Sequence, residues 1–171
     1  MSKLVFDHKN EEFEVWKFTP DLIHAFPFYM ERVNRSWRMR CVIEYFVGYS
    51  VYYIKIDGEW AGYCVVSSGR NPRYKFSTAD DIIYGRYFVS EKFRGNGLGY
   101  RMLKEILDNT GLQYKKAYAY LRVKNTPSLK TIEKLGSVRL FRFNIEGFAR
   151  NKFSQSENGE FVLYEYERRG E

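Results

Sequence analysis

A chain of 171 residues with 44% apolar side chains can bury a proper core, which argues against intrinsic disorder and for one domain spanning residues 1–171. No apolar run reaches the roughly 18 residues of a membrane span, and acidic residues stand in MSKLVFDHKNEEFEVW where a signal peptide carries its apolar stretch, so the reading is a soluble, cytoplasmic protein. The net charge of +7 gathers beyond residue 80, where 17 Lys/Arg face 11 Asp/Glu against 11 and 10 before it; a phosphate-bearing ligand, a nucleic acid, an acidic surface or a solvated basic face would each account for it.

In chain order, EFEVWKF at 12–18 alternates as a short strand, and the segment from Asp21 to about Phe46 is mainly helical in pattern. SVYYIKI and WAGYCVVSS are two strand-like runs on either side of Asp57-Gly58-Glu59, an arrangement that predicts a hairpin because glycine accepts positive φ. A polar connection, GRNPRYKFSTAD, leads to IIYGRYFVS, a strand rich in β-branched and aromatic residues. Leu98, Met102, Leu103, Ile106 and Leu107 then recur at helical spacing, with Gly111 as the stop. AYAYLRV reads as a strand. Thr126 is the expected N-cap of a second helix, with Pro127 at its first position, Leu129, Ile132 and Leu135 on one face and Gly136 at its end. VRLFRFNIEGF and EFVLYEYER close the chain as two strands joined across the polar NKFSQSENG. Cys41 and Cys64 each sit in an apolar segment and read as buried free thiols; His8 and His24 lack partners at metal-ligand spacing, so no metal is expected.

The stretch FRGNGLGYRML, residues 93–103, carries Gly95, Gly97 and Gly99 between a strand and a helix. A helix start presents unpaired amides and the positive end of the helix dipole, and glycines let the backbone approach an anion closely, so the turn suits a phosphate; Arg94 and Arg101 flank it with positive charge. Spacing narrows the choice. A dinucleotide fingerprint fails, because its third glycine falls on Tyr100 or Met102, and no Walker string is present. The pattern that fits is R-x-x-G-x-G, as Arg94-Gly95-Asn96-Gly97-Leu98-Gly99, following a strand that ends in Phe88-Val89.

On these residues the sequence resembles the GNAT superfamily of acyl-CoA-dependent N-acyltransferases. A second segment strengthens the likeness: Asn125-Thr126-Pro127-Ser128, followed by a helix and Gly136, is similar to the family's N-x-x-S segment after its fifth strand. The resemblance is close over residues 80–138, extends to the hairpin at 51–68 and is weak before residue 50. It implies an α/β fold with a mixed, mostly antiparallel central sheet and helices on both faces. It also implies that backbone groups of Phe88 and Val89 bond the pantetheine arm, that amides from Arg94 through Gly95, Asn96, Gly97, Leu98 and Gly99 to Tyr100 wrap the pyrophosphate, and that Asn125 and Ser128 lie along acetyl-CoA or a related acyl-CoA. From the residues alone, Asn125 also reads as a turn residue and Phe88 with Val89 as strand core.

The family's usual proton donor, a tyrosine four residues before the closing glycine, is Ile132 here, which leaves the general acid unassigned. Asp81, beside Asp80, occupies the approximate position of the family's catalytic base, although a pair of solvated turn acids would look the same. Tyr164 and Tyr166 are either donors or strand core. The function implied is acetyl transfer to a primary amine of a small molecule. An amino sugar is one such acceptor; Arg32, Arg35, Arg38 and Arg40 suggest an acidic or phosphorylated one such as a nucleotide-linked amino sugar, and a solvated helix face explains them equally well. A non-catalytic acyl-CoA-binding module and a protein or peptide N-acetyltransferase are the alternatives. Nucleic-acid binding lacks any supporting motif, no membrane partner is expected, and an edge strand near the C-terminus offers a surface for a homodimer.

Overall fold

The computed structural model describes residues 4–21, 24, 41–42, 44–147 and 152–167. Nine strands form one sheet in the order β1-β2-β3-β4-β5-β6-β9-β7-β8. They are β1 Leu4–Lys9, β2 Glu14–Phe18, β3 Tyr49–Ile56, β4 Glu59–Ser68, β5 Ile82–Val89, β6 Ala117–Arg122, β7 Val138–Glu146, β8 Lys152–Gln155 and β9 Phe161–Tyr166. Every pairing is antiparallel except β5 with β6, so the sheet is mixed and mostly antiparallel, as expected.

The β3–β4 hairpin turns at Asp57 and Gly58, with φ of 48° and 83°, the two left-handed residues that a tight type I′ connection requires. Two strands lie beyond the sequence reading. LVFDHK pairs with β2 although Val5 and Phe6 are exposed; the ring of Phe6 meets Trp16 edge to face at 5.4 Å, so cross-strand contact rather than burial holds it. Lys152–Gln155 forms β8 inside the polar stretch expected to be a connection, where Phe153 packs on Phe143 at 5.1 Å.

Helix α1, Leu98–Asn109, and helix α2, Thr126–Lys134, pack on the same face of the sheet. The buried stripe of α1 is the predicted set, Leu98, Met102, Leu103, Ile106 and Leu107, lying against Tyr52, Ile54, Cys64, Tyr84 and Tyr164. The cap of α2 is one residue earlier than expected: Asn125, not Thr126, accepts the Ser128 amide at 3.4 Å, and Pro127 stands in the first turn, where a missing N–H costs nothing. The opposite face carries helical residues 41–42 and 44–47, with Cys41 and Tyr45 packed on Tyr49, Val51, Tyr53 and Tyr63. Most of the segment expected to be helical from Asp21, with Arg32, Arg35, Arg38 and Arg40, lies outside the described residues.

A second aromatic cluster, built from Tyr74, Phe76, Tyr118, Tyr120, Phe143 and Phe153, covers that opposite face beside β8. Both cysteines are buried and free, and burial pushes each thiol up to about 12. Among the described residues no helix is long and apolar enough to cross a membrane, and no three His, Cys, Asp or Glu side chains are grouped to hold a metal.

Candidate functional site

The sheet opens between β5 and β6. These parallel strands pair only at Ile82 with Ala117 and Ile83 with Tyr118, after which β5 departs. A bulge drives the departure: the register against β4 shifts between Tyr63 and Val65, and Arg86 opposite takes φ of 49°, a left-handed conformation that a long side chain adopts only when its surroundings enforce it. Residues 81–84 are buried, whereas 85–90 are all half-buried, as a strand edge facing a gap must be.

Register decides which backbone groups face the gap. The Ser90 amide donates to the Ala61 carbonyl of β4 at 2.9 Å, and amides alternate sides along a strand, so those of Tyr87 and Val89 point into the gap while that of Phe88 points to β4. Of the expected pair, Val89 is therefore on the open edge and Phe88 is not; the Phe88 ring stacks on Tyr63 at 5.7 Å on the far face.

Beyond Val89 a turn of 3₁₀ helix, Glu91–Phe93, leads into the glycine stretch. Gly95 and Gly97 have φ of 90° and 72°, and Gly97 is the N-cap of α1, so these two glycines are dictated by backbone conformation. Gly99 is different: a methyl there would meet Tyr87, Val89 and Thr131 at 3.7 to 3.8 Å, ordinary contact distances. The amides of Gly95, Asn96, Gly97, Leu98 and Gly99 meet no acceptor among the described residues. With the positive end of α1 behind them they form a concave set of donors suited to an anion.

The arginines that flank this turn also build it. Arg94 donates through Nε to the Val89 carbonyl at 2.9 Å, pairs with Glu91 at 3.1 Å and lies over the Phe88 ring. Arg101 donates to the Asn96 carbonyl at 2.5 Å and pairs with Glu12 of the β1–β2 loop. Lys134 reaches from α2 over the Tyr100 ring at 4.7 Å, which brings a third cation to the mouth. Asn125 is exposed at the start of α2 and Ser128 half-buried one turn in, on the side facing Tyr87.

Tyr87, which the sequence reading did not single out, projects from β5 toward α2. Its hydroxyl is buried beside those of Ser128 and Thr131 without a well-formed hydrogen bond to either, and Thr131 already donates to the Pro127 carbonyl at 3.0 Å. Burial raises its pKa above that of a free tyrosine, against the lowering effect of the two hydroxyls, so the phenol is protonated at neutral pH.

The other sequence candidates are committed elsewhere. Ile132 is fully buried in the core. Tyr164 donates to Glu133 at 2.8 Å, with burial and that carboxylate pushing it up to about 12, and Tyr166 donates to Asp108 at 2.7 Å; both are core residues tied to the helices. Asp81 is not brought to the gap. It sits at the far end of β5 from the glycines, where one carboxylate oxygen accepts the Thr78 amide and hydroxyl at 2.7 Å and the other the Lys116 amide at 3.1 Å. The start of a strand is one point in a sequence, but the end that faces a ligand is set by where the sheet opens.

On the face opposite the two helices, a pocket of about 180 Å³ opens at the bulge, lined by Ser67, Tyr74, Ile83, Gly85, Arg86 and Tyr120. Arg86 extends a nitrogen to both oxygens of Glu44 at 2.5 Å, and Glu44 is 2% exposed. Burial opposes the charge on Arg86 and Glu44 more than offsets this, so its pKa lies above the ordinary arginine value. A pair 42 residues apart in the chain left no local signal for the sequence reading to find.

The family model described as the acetyltransferase (GNAT) family matches residues 7–137. Among solved structures, the chain is similar to an acetyltransferase from Thermus thermophilus (16% identity, TM-score 0.52), covering 70% of this chain and 64% of that one, less than two thirds of its length. It is similar to the microcin C7 self-immunity acetyltransferase MccE, solved with acetyl-CoA and AMP, at 14% identity over 93% of this chain and 94% of that one, with a TM-score of 0.57. It is also similar to AAC(6')-Ib in complex with ribostamycin and coenzyme A, at 15% identity over 70% and 64% of the two chains, with a TM-score of 0.55. No curated protein sequence matches the chain.

Proposed function

We propose that this chain, which belongs to the acetyltransferase (GNAT) family, transfers an acetyl group from acetyl-CoA directly to a primary amine of a small molecule. The observation that carries the reading is the continuity of two unsatisfied backbone surfaces: the open edge of β5 at Tyr87 and Val89 runs into the five amides of residues 95–99. A long ligand with amides at one end and phosphates at the other completes both.

Acetyl-CoA, when bound, supplies the thioester and its leaving thiolate. The amides of Gly95 to Gly99, with Arg94, Arg101 and Lys134 nearby, hold the phosphate end. The Val89 and Tyr87 amides fix the arm, and the Tyr87 amide, nearer the bulge, polarises the acyl carbonyl. As the C–N bond forms and the C–S bond breaks, Tyr87, in place of the family tyrosine that is Ile132 here, protonates the departing thiolate, and the proton that the new amide nitrogen sheds returns to the phenolate through water. The amine attacks from the bulge pocket. There, desolvation disfavours an ammonium ion, and Glu44, held through both oxygens by Arg86, offers it no counter-charge, so the acceptor reaches the carbonyl neutral without a dedicated carboxylate base.

Calorimetric titration of acetyl-CoA into the protein, followed by a thiol-release assay with an amine panel, tests this reading; selective binding without thiol release on any amine would overturn catalysis. That outcome is the signature of the second reading, a non-catalytic acyl-CoA-binding module, which Ile132 at the position of the family tyrosine favours. Tyr87→Phe separates the two further. We expect kcat to fall about a hundredfold, in the range of a lost general acid, with acetyl-CoA affinity unchanged. In the parent protein kcat/KM should rise with pH until the acceptor amine is neutral, and in the variant any decline at high pH should disappear.

A further inference from the structure

The bulge pocket and its surroundings select the charge of the acceptor, an inference that rests on the acetyl-transfer reading above. A thioester arm seated along β5 starts at Val89 and ends at the bulge, so an attacking amine arrives through the pocket lined by Gly85, Arg86, Tyr74 and Tyr120. Two walls are aromatic: the rings of Tyr74 and Tyr120 stand 6.1 Å apart at 51°, and Tyr74 is 4% exposed. Such walls suit the face of a ring-shaped acceptor more than a flexible aliphatic chain.

The charges follow one sign. Arg86 of the lining engages both oxygens of the buried Glu44, so the pair contributes no net negative charge. The loop that contributes Tyr74 to the lining, residues 69–79, carries Arg70, Arg73 and Lys75 and no carboxylate. Arg73 lies over the rings of Tyr74 and Phe153, at 5.8 and 5.9 Å, so its guanidinium is fixed beside the aromatic wall. A polycationic acceptor needs uncommitted carboxylates around its ammonium groups, and the described lining of this pocket offers none.

From this arrangement we infer that the acceptor is a ring-bearing primary amine with an anionic substituent, a phosphate or a carboxylate, which Arg73 and its loop neighbours recognise while the amine enters beside Arg86. Guanidinium groups bind either anion through paired N–H donors.

The test uses the intact protein and three classes of amine: glucosamine 6-phosphate and 4-aminobenzoate as ring amines carrying an anionic group, glucosamine as the same sugar without one, and spermidine as a polycation. Each is measured for thiol release with acetyl-CoA and for equilibrium binding to the protein saturated with CoA. The class with an anionic group should bind and react at least tenfold better than the unphosphorylated sugar, with spermidine weakest, and its two members distinguish phosphate from carboxylate. Arg73→Glu should erase the preference while acetyl-CoA affinity, which also reports folding, stays unchanged; Arg73→Ala should fall between. Equal binding of all classes, preference for spermidine, binding by none, or a preference that survives Arg73→Glu would each overturn the inference. If acetyl-CoA itself does not bind, the acetyl-transfer reading fails instead, and the two failures are told apart by that first titration.

Discussion

The three glycines that first marked the site are not equivalent. Gly97 caps α1 from the left-handed region and Gly95 shares that conformation, whereas Gly99 is helical with room for a methyl. Gly97→Glu should abolish acetyl-CoA binding in titration, through strain at the cap and a carboxylate placed among amides that await an anion. Gly99→Ala should leave thermal stability nearly unchanged, so any loss of affinity it shows reports crowding of the ligand alone. Asp81 illustrates the opposite lesson. Its residue type and rough position suit a base, yet its oxygens bind Thr78 and Lys116. Asp81→Asn should therefore lower stability by about 1–3 kcal/mol, the range for an unpaired buried polar contact, as read by chemical denaturation, with kcat little changed in the fraction that remains folded.

At the level of elements, the strongly patterned segments were legible and the edges were not. The 57–58 turn, the stripe of α1 and the strand before the glycines all follow from local chemistry, because each is specified by neighbours within a few residues. Strands β1 and β8 are specified across the sheet: LVFDHK shows its apolar residues to solvent and KFSQ lies in a polar run, so neither carries the alternation of a half-buried strand. What anchors β1 to the helix layer is His8, which bonds Asp7 at 2.8 Å and Glu105 of α1 at 2.6 Å. Burial disfavours its charge, but the two carboxylates outweigh this and raise its pKa above 6.5. The sign follows directly. The contribution of His8 is complete below the unfolded value and is lost as pH rises through the folded one. The thermal midpoint should accordingly decline from the upper side of pH 6.5, and His8→Gln should flatten that slope.

Across the whole molecule, the feature least visible in the sequence is the link between the two faces of the sheet. Glu44 belongs to the helical residues on one face, Arg86 to the strand that borders the gap, and their pair ties both to the bulge. Glu44→Gln removes the carboxylate that Arg86 engages, and loss of stability on the order of 3 kcal/mol is expected for a broken buried pair. Denaturant titration measures it, and a neutral result would mean that the bulge is held by its backbone alone. The candidate site was thus half legible: the glycine turn is a contiguous string, while the bulge pocket is assembled from residues 67, 74, 86 and 120, with Glu44 paired to Arg86.

The departure of β5 from β6 leaves an interrupted ladder in the interior of the sheet, with donors waiting on one side. An incoming strand would bring side chains that the rings and helices around the gap cannot accommodate, whereas an unbranched chain of amides brings none. On the acetyl-transfer reading, the arm of the co-substrate adds to this sheet as one more member. Hydrogen exchange at Tyr87 and Val89 should slow on binding as it does when two strands zip together, making the reactant for one turnover also the mortar of the fold.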